Sequence, residues 1–130
     1  MMMVAMNSAP IDYDGLLQAN LKGVFSERDA ALRNAAIGAL YAEDATLYEP
    51  DSVARGHAAI GAAVTALLDR LPPAFSFSAI APASGHHGVG RLRWQSGPAS
   101  GPAAVTGMDI AHIIDGRIHA LYVFLEPVGN

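Results

Sequence analysis

At 130 residues the chain is one domain's worth, and its 52% hydrophobic and 15% charged residues are the composition of a globular protein with a sizeable core. Eight Lys and Arg without a basic run, and a formal net charge of -4, argue against nucleic-acid binding, which needs clustered cations. The absence of cysteine removes disulfides, thiolate metal sites and cysteine nucleophiles.

The start, MMMVAMNSAP, is apolar but short and lacks a basic n-region, so residues 1–10 read as a disordered lead-in, not a signal peptide. Residues 11–130 read as a single domain. No apolar run approaches the roughly 20 residues of a membrane span, so a cytoplasmic protein without a membrane partner is expected. IDYDGLLQANLKGVF carries Leu16, Leu17, Leu21 and Val24 at helical spacing and predicts a first helix. Ser26, with Asp29 three residues on, predicts the N-cap of a second helix, whose Leu32, Ala36, Ile37 and Leu40 belong to a broad apolar stripe. ATLYEP is a short strand that stops at Glu49 and Pro50. A loop then leads to Gly56 and His57, which open a third helix that Pro72-Pro73 terminates.

Beyond Pro73 the texture changes to period two. FSFSAIAP, HHGVGRLRWQS, AAVTGMDIAHII and RIHALYVFLEP predict four strands, and helices followed by antiparallel strands make an α+β layout. Asp115-Gly116 is a two-residue hairpin turn. Counting outward from it pairs Ile114 with Arg117, His112 with His119, Ile110 with Leu121 and Asp109 with Tyr122. That register places Asp109, Ile113, Tyr122 and Phe124 on one face. Both faces of the hairpin are apolar, so helices on one side and a second copy of the chain on the other are expected.

Two carboxylates stand out. Asp109 lies mid-strand among apolar residues, where an ionised group is costly without partners. It is either neutral, or ionised and paired with Arg91 or Arg93 of the neighbouring strand, or a purely structural brace. Glu49 is held extended by Pro50, and either it or Tyr48 faces the core. The five histidines do not make a metal site: His86 and His87 point apart if they lie in a strand, and His112 with His119 lacks a third ligand.

LYAEDATLYEPDSVARGHAAIGAAV and GMDIAHIIDGRIHALYVF resemble the signature segment and the closing hairpin of the nuclear-transport-factor-2-like superfamily, in particular its SnoaL-like polyketide cyclases and ketosteroid isomerases. The resemblance runs from about Leu16 to Pro127. It implies a cone-shaped, strongly curved antiparallel sheet wrapped around three N-terminal helices (cystatin-like), an apolar pocket, and commonly a homodimer. It also implies that Glu49 occupies the place of the isomerases' general base and Asp109 that of their protonated acid, allowing a turn one residue shorter. Ligand-contacting candidates on that reading are Tyr48, Tyr122, Arg91, Arg93, Trp94 and Phe124. The epoxide hydrolases of the superfamily set an arginine and two carboxylates around a water, which Arg91 or Arg93 with Asp109 and Glu49 would imitate.

The chain departs from the isomerases in lacking a tyrosine on the first helix near ANLKGVF and in having Glu for Asp at the base. Two functions therefore stay open. One is an enzyme acting on a small hydrophobic molecule by carboxylate acid–base chemistry, for which no cofactor or metal is expected. The other is a non-catalytic ligand-binding or assembly module of the same fold.

Overall fold

The computed structural model describes residues 10–127. The lead-in expected over residues 1–10 lies outside the described residues, apart from Pro10. Helix α1, Tyr13–Asn20, starts at Asp12, whose side chain accepts the Gly15 N–H at 2.8 Å. It runs on through a π-helical turn, Leu21–Phe25, in which Leu21, Val24 and Phe25 are all buried. Helix α2, Ala30–Leu40, is capped by Asp29, whose carboxylate accepts the N–H groups of Ala31 (2.9 Å) and Leu32 (3.1 Å). The cap is thus three residues later than expected. Ser26 instead reaches across the molecule, its hydroxyl donating to the Phe77 carbonyl at 3.0 Å and accepting the Phe77 N–H at 2.9 Å. This ties the end of the first helical run to the far side of the fold.

Strand β1, Tyr41–Glu49, follows α2 directly and is longer than ATLYEP. The stretch expected as a loop after Pro50 contains β2, Ser52–Arg55, folded back antiparallel on β1 with Glu49 opposite Ser52. Gly56 precedes helix α3, His57–Arg70, at φ 87, a conformation that favours glycine. The His57 Nε2–H donates to the carbonyls of Tyr41 and Ala42, each at 3.0 Å, and fixes α3 against β1. The remaining strands are β3 (Phe75–Ala79), β4 (Ser84–His86), β5 (Val89–Pro98), β6 (Val105–Ile114) and β7 (Arg117–Pro127). HHGVGRLRWQS is therefore not one strand. A tight turn at His87 (φ 52) and Gly88 (φ 82) separates β4 from β5.

The strand order is β2-β1-β7-β6-β5-β3, with β4 also paired to β5. Every pairing is antiparallel except β1 with β7, so the sheet is mixed, curved and unclosed. The helices pack on its inner face over a core that includes Leu17, Ile37, Leu47, Ile60, Leu92 and Leu121. Among the described residues no helix is long and apolar enough to cross a membrane.

The last hairpin decides which side chains face that core. Asp115 (φ 52) and Gly116 (φ 78) form the expected turn, and Ile114–Arg117 pair as expected. Between Ile118 and Ala120, however, β7 carries one extra residue, His119, and the register shifts. His112 faces Ala120, Ile110 faces Tyr122, and Asp109 faces Val123. A one-residue bulge exchanges the two faces beyond it. Leu121 and Val123 therefore join Asp109 on the inner face. Tyr122 and Phe124 turn outward and are 42% and 55% exposed, which corrects the face expected for both.

Candidate functional site

The register places the two carboxylates in one row. Tyr48 of β1 pairs with Tyr122 of β7, so Glu49 lies one residue further on, beside Val123, and Val123 pairs with Asp109 of β6. Two strand spacings separate their backbones, about 10 Å. Both carboxylates line a cavity of about 290 Å³. Its sheet wall is Trp94, Ser96, Val105, Val123 and Leu125. Its helical cover is Leu21, Phe25, Leu67, Arg70 and Leu71, and Phe77 of β3 also lines it. Pro50, Asp51 and Ser52 are exposed at its edge.

Asp109 is 2% exposed, and its Oδ1 accepts the Trp94 Nε1–H at 2.9 Å. Gly107, the cross-strand partner of Trp94, makes room for that indole. A Cβ at this position would collide with the ring and lie 2.6 Å from the Phe124 carbonyl oxygen. Burial pushes the Asp109 carboxyl up to about 7, and the Trp94 hydrogen bond works weakly in the opposite direction. Glu49 is half-buried and accepts a bond from the Ser52 hydroxyl at 3.3 Å. Burial raises its pKa as well, while the Ser52 bond and the Arg70 charge pull it down by less.

Of the eight residues singled out from the sequence, Glu49, Asp109 and Trp94 meet at this cavity; the other five lie elsewhere. Arg91 and Arg93 alternate with Leu92 and Trp94 along β5, so they point away from Asp109 and are exposed. Arg93 instead pairs with Glu126 at 3.3 Å, the one ion pair among the described residues. Neither an Asp109–arginine pair nor an arginine flanked by both carboxylates forms from them. Tyr48 stacks on Tyr122 with ring centroids 4.5 Å apart and 6° between planes, on the outer face where Phe124 also lies.

Three polar features near the site were not singled out from the sequence. Arg70, in the last turn of α3, lines the cavity and exerts its charge on Glu49. A basic residue in that position reads from sequence as an ordinary helix-end charge. Ser96 was hidden in a short polar run. Asn20 and Tyr41 form a fully buried pair, the Tyr41 hydroxyl donating to Asn20 Oδ1 at 2.6 Å. Burial above all, then the Asp109 charge, raises the Tyr41 pKa well above its usual value. Asn20 had a legible signal: it is a polar residue inside the apolar stripe of Leu17, Leu21 and Val24.

The histidines take no part. His86 and His87 are exposed at their turn with Nδ1 atoms 2.9 Å apart, and His112 is exposed on the outer face. Among the described residues no group of three or more His, Asp or Glu is placed to hold a metal ion. Chemically, the cavity offers a carboxylate able to take a proton and, opposite it, a carboxyl that burial keeps protonated to near neutral pH.

A SnoaL-like protein of Agrobacterium tumefaciens, provisionally assigned as an isomerase, superposes with a TM-score of 0.81 at 23% identity, covering 88% of this chain and 97% of its own. A Sinorhizobium meliloti protein provisionally assigned as a polyketide cyclase gives 0.66 at 16% identity, covering 84% and 93%. A Kribbella flavida protein provisionally assigned as a ketosteroid isomerase gives 0.67 at 12% identity, covering 91% and 80%. These likenesses establish a shared fold. No curated protein matches the chain. The family model of the SnoaL-like domain matches residues 21–121, most of the chain, and the protein belongs to that family.

Proposed function

We propose that the protein catalyses proton transfer next to a carbonyl in a small hydrophobic molecule, the step shared by isomerisation and aldol-type cyclisation. The observation that carries this reading is the placement of Glu49 and Asp109 in one row and one cavity, with both pKa values raised and Asp109 anchored by Trp94. Glu49 removes the α-proton: the C–H bond breaks, its electron pair moves to the carbonyl oxygen, and Glu49 becomes neutral. The enolate oxygen accepts a hydrogen bond from protonated Asp109, a donor already in place when the charge develops. Glu49, which is only half-buried and so exchanges its acid proton with water, then delivers a proton (in D2O, a deuteron) to carbon.

The two protonation states fix the pH profile. The rate rises as pH climbs through the raised Glu49 pKa and falls as Asp109 ionises near 7, giving an optimum on the acid side of neutrality. The test is exchange of the α-protons of 2-tetralone in D2O, followed by proton NMR. Glu49→Gln is expected to lose about 10²-fold or more of the protein-dependent rate; an unchanged rate and pH profile would remove Glu49 from the mechanism. The absence of a tyrosine from the stretch ANLKGVF, residues 19–25, favours a second reading, ligand carriage without turnover, which the same probe reveals as binding without exchange.

We also propose that a second copy of the chain covers the outer face. Tyr122 and Phe124 leave an exposed apolar surface there that a homodimer would cover. Sedimentation should give a dimer for the native chain and a monomer for Phe124→Glu. A native monomer would exclude this assembly.

A further inference from the structure

Ser96 lines the cavity, yet among the described residues its buried Oγ has no hydrogen-bond partner, and the residue is 5% exposed. Native proteins rarely leave a buried hydroxyl unpaired, because it forgoes water without replacement. Ser96 shares the inner face of β5 with Trp94 and pairs with Val105 of β6. Asp109 is four residues further along β6, which puts about 13 Å between its row and that of Ser96. Between them Gly107 contributes no side chain, and Val123, Leu125 and the Trp94 indole provide an apolar wall. An unpartnered serine surrenders no hydrogen bond on changing χ1, so its hydroxyl is free to turn toward a polar group entering the cavity.

We propose that the cavity takes an elongated two-ring ketone with a second oxygen at the far end, its carbonyl toward Asp109 and its distal hydroxyl or carbonyl on Ser96. The orientation of the carbonyl rests on the acid–base reading above; recognition of the distal oxygen by Ser96 does not. Ser96 is then a specificity-determining residue that separates such ligands from equally apolar ones lacking the second oxygen.

Trp94 is the sole tryptophan, so its fluorescence reports occupancy of the cavity. Titrations with 2-tetralone and with 6-hydroxy-2-tetralone test the assignment. The native protein is expected to bind the hydroxylated ketone at least tenfold more tightly. Ser96→Ala should erase that advantage while leaving 2-tetralone affinity within about twofold, and its Tm should not fall, since no hydrogen bond is removed. Equal affinity of the native protein for the two ketones, equal weakening of both by Ser96→Ala, or no response to either would overturn the proposal. Exchange kinetics of Glu49→Gln are scored separately. A Ser96-dependent preference without Glu49-dependent exchange defeats the catalytic reading alone, and the converse defeats only the Ser96 assignment.

Discussion

Between pH 5 and pH 8 the native protein should lose about 2–3 kcal/mol of stability that the Asp109→Asn variant keeps. The carboxyl of Asp109 is raised from 3.8 in the unfolded chain to about 7 in the fold. Between those values the folded state holds a proton that the unfolded state has released, so unfolding is favoured as pH rises. The stabilisation is fully present below the unfolded pKa and is lost as pH climbs through 7. Each pH unit in this window is worth about 1.4 kcal/mol, and about two such units remain above pH 5. Asparagine resembles the neutral acid and can still accept the Trp94 Nε1–H, so the variant folds without the slope. Glu49, also raised, adds a slope of the same sign in both proteins. Urea denaturation of the two proteins at pH 5 and pH 8 measures the difference, and parallel pH dependence would show that Asp109 ionises normally in the fold.

Gly107→Ala should be the most damaging single methyl addition in the sheet, costing about 2–4 kcal/mol. The added Cβ meets the Trp94 ring on one side and backbone, the Phe124 carbonyl at 2.6 Å, on the other. Backbone in the centre of a sheet cannot give way, so the indole must. Its displacement breaks the bond to Asp109 and strands a buried carboxyl. Denaturation should show the loss, with Trp94 emission shifted to the red as the ring meets water. An unshifted spectrum with a change below about 0.5 kcal/mol would mean that the indole does not depend on Gly107 for its place.

Much of this architecture is legible in the chain. Helical periodicity and Pro72-Pro73 delimit α3, Asp115-Gly116 fixes the last turn, and the segments around Glu49 and Asp109 carry the family resemblance. What escapes is governed by single residues with no local signature. His119 is an ordinary strand residue by composition, yet as the extra residue of a bulge it sends Tyr122 and Phe124 outward and brings Val123 between the two carboxylates. Strand β2 is hidden because Pro50, Asp51 and Ser52 spell a turn, and its pairing to β1 is a tertiary fact. Asp29 outcompetes Ser26 for the α2 cap because the Ser26 hydroxyl is committed to Phe77, 51 residues away. The arginines of β5 follow strict alternation, so once Trp94 faces inward they cannot.

The acid–base chemistry proposed for the site turns on one proton. Carboxyl-¹³C aspartate incorporated into the native protein, with Asp109→Asn to assign the resonance, allows the Asp109 titration to be followed directly. A midpoint near 7, with the carboxyl still protonated at pH 6, is the expected result. A midpoint near the ordinary aspartate value of about 4 would leave the cavity with two ionised carboxylates and no acid to hold an enolate, and would contradict the proposed chemistry.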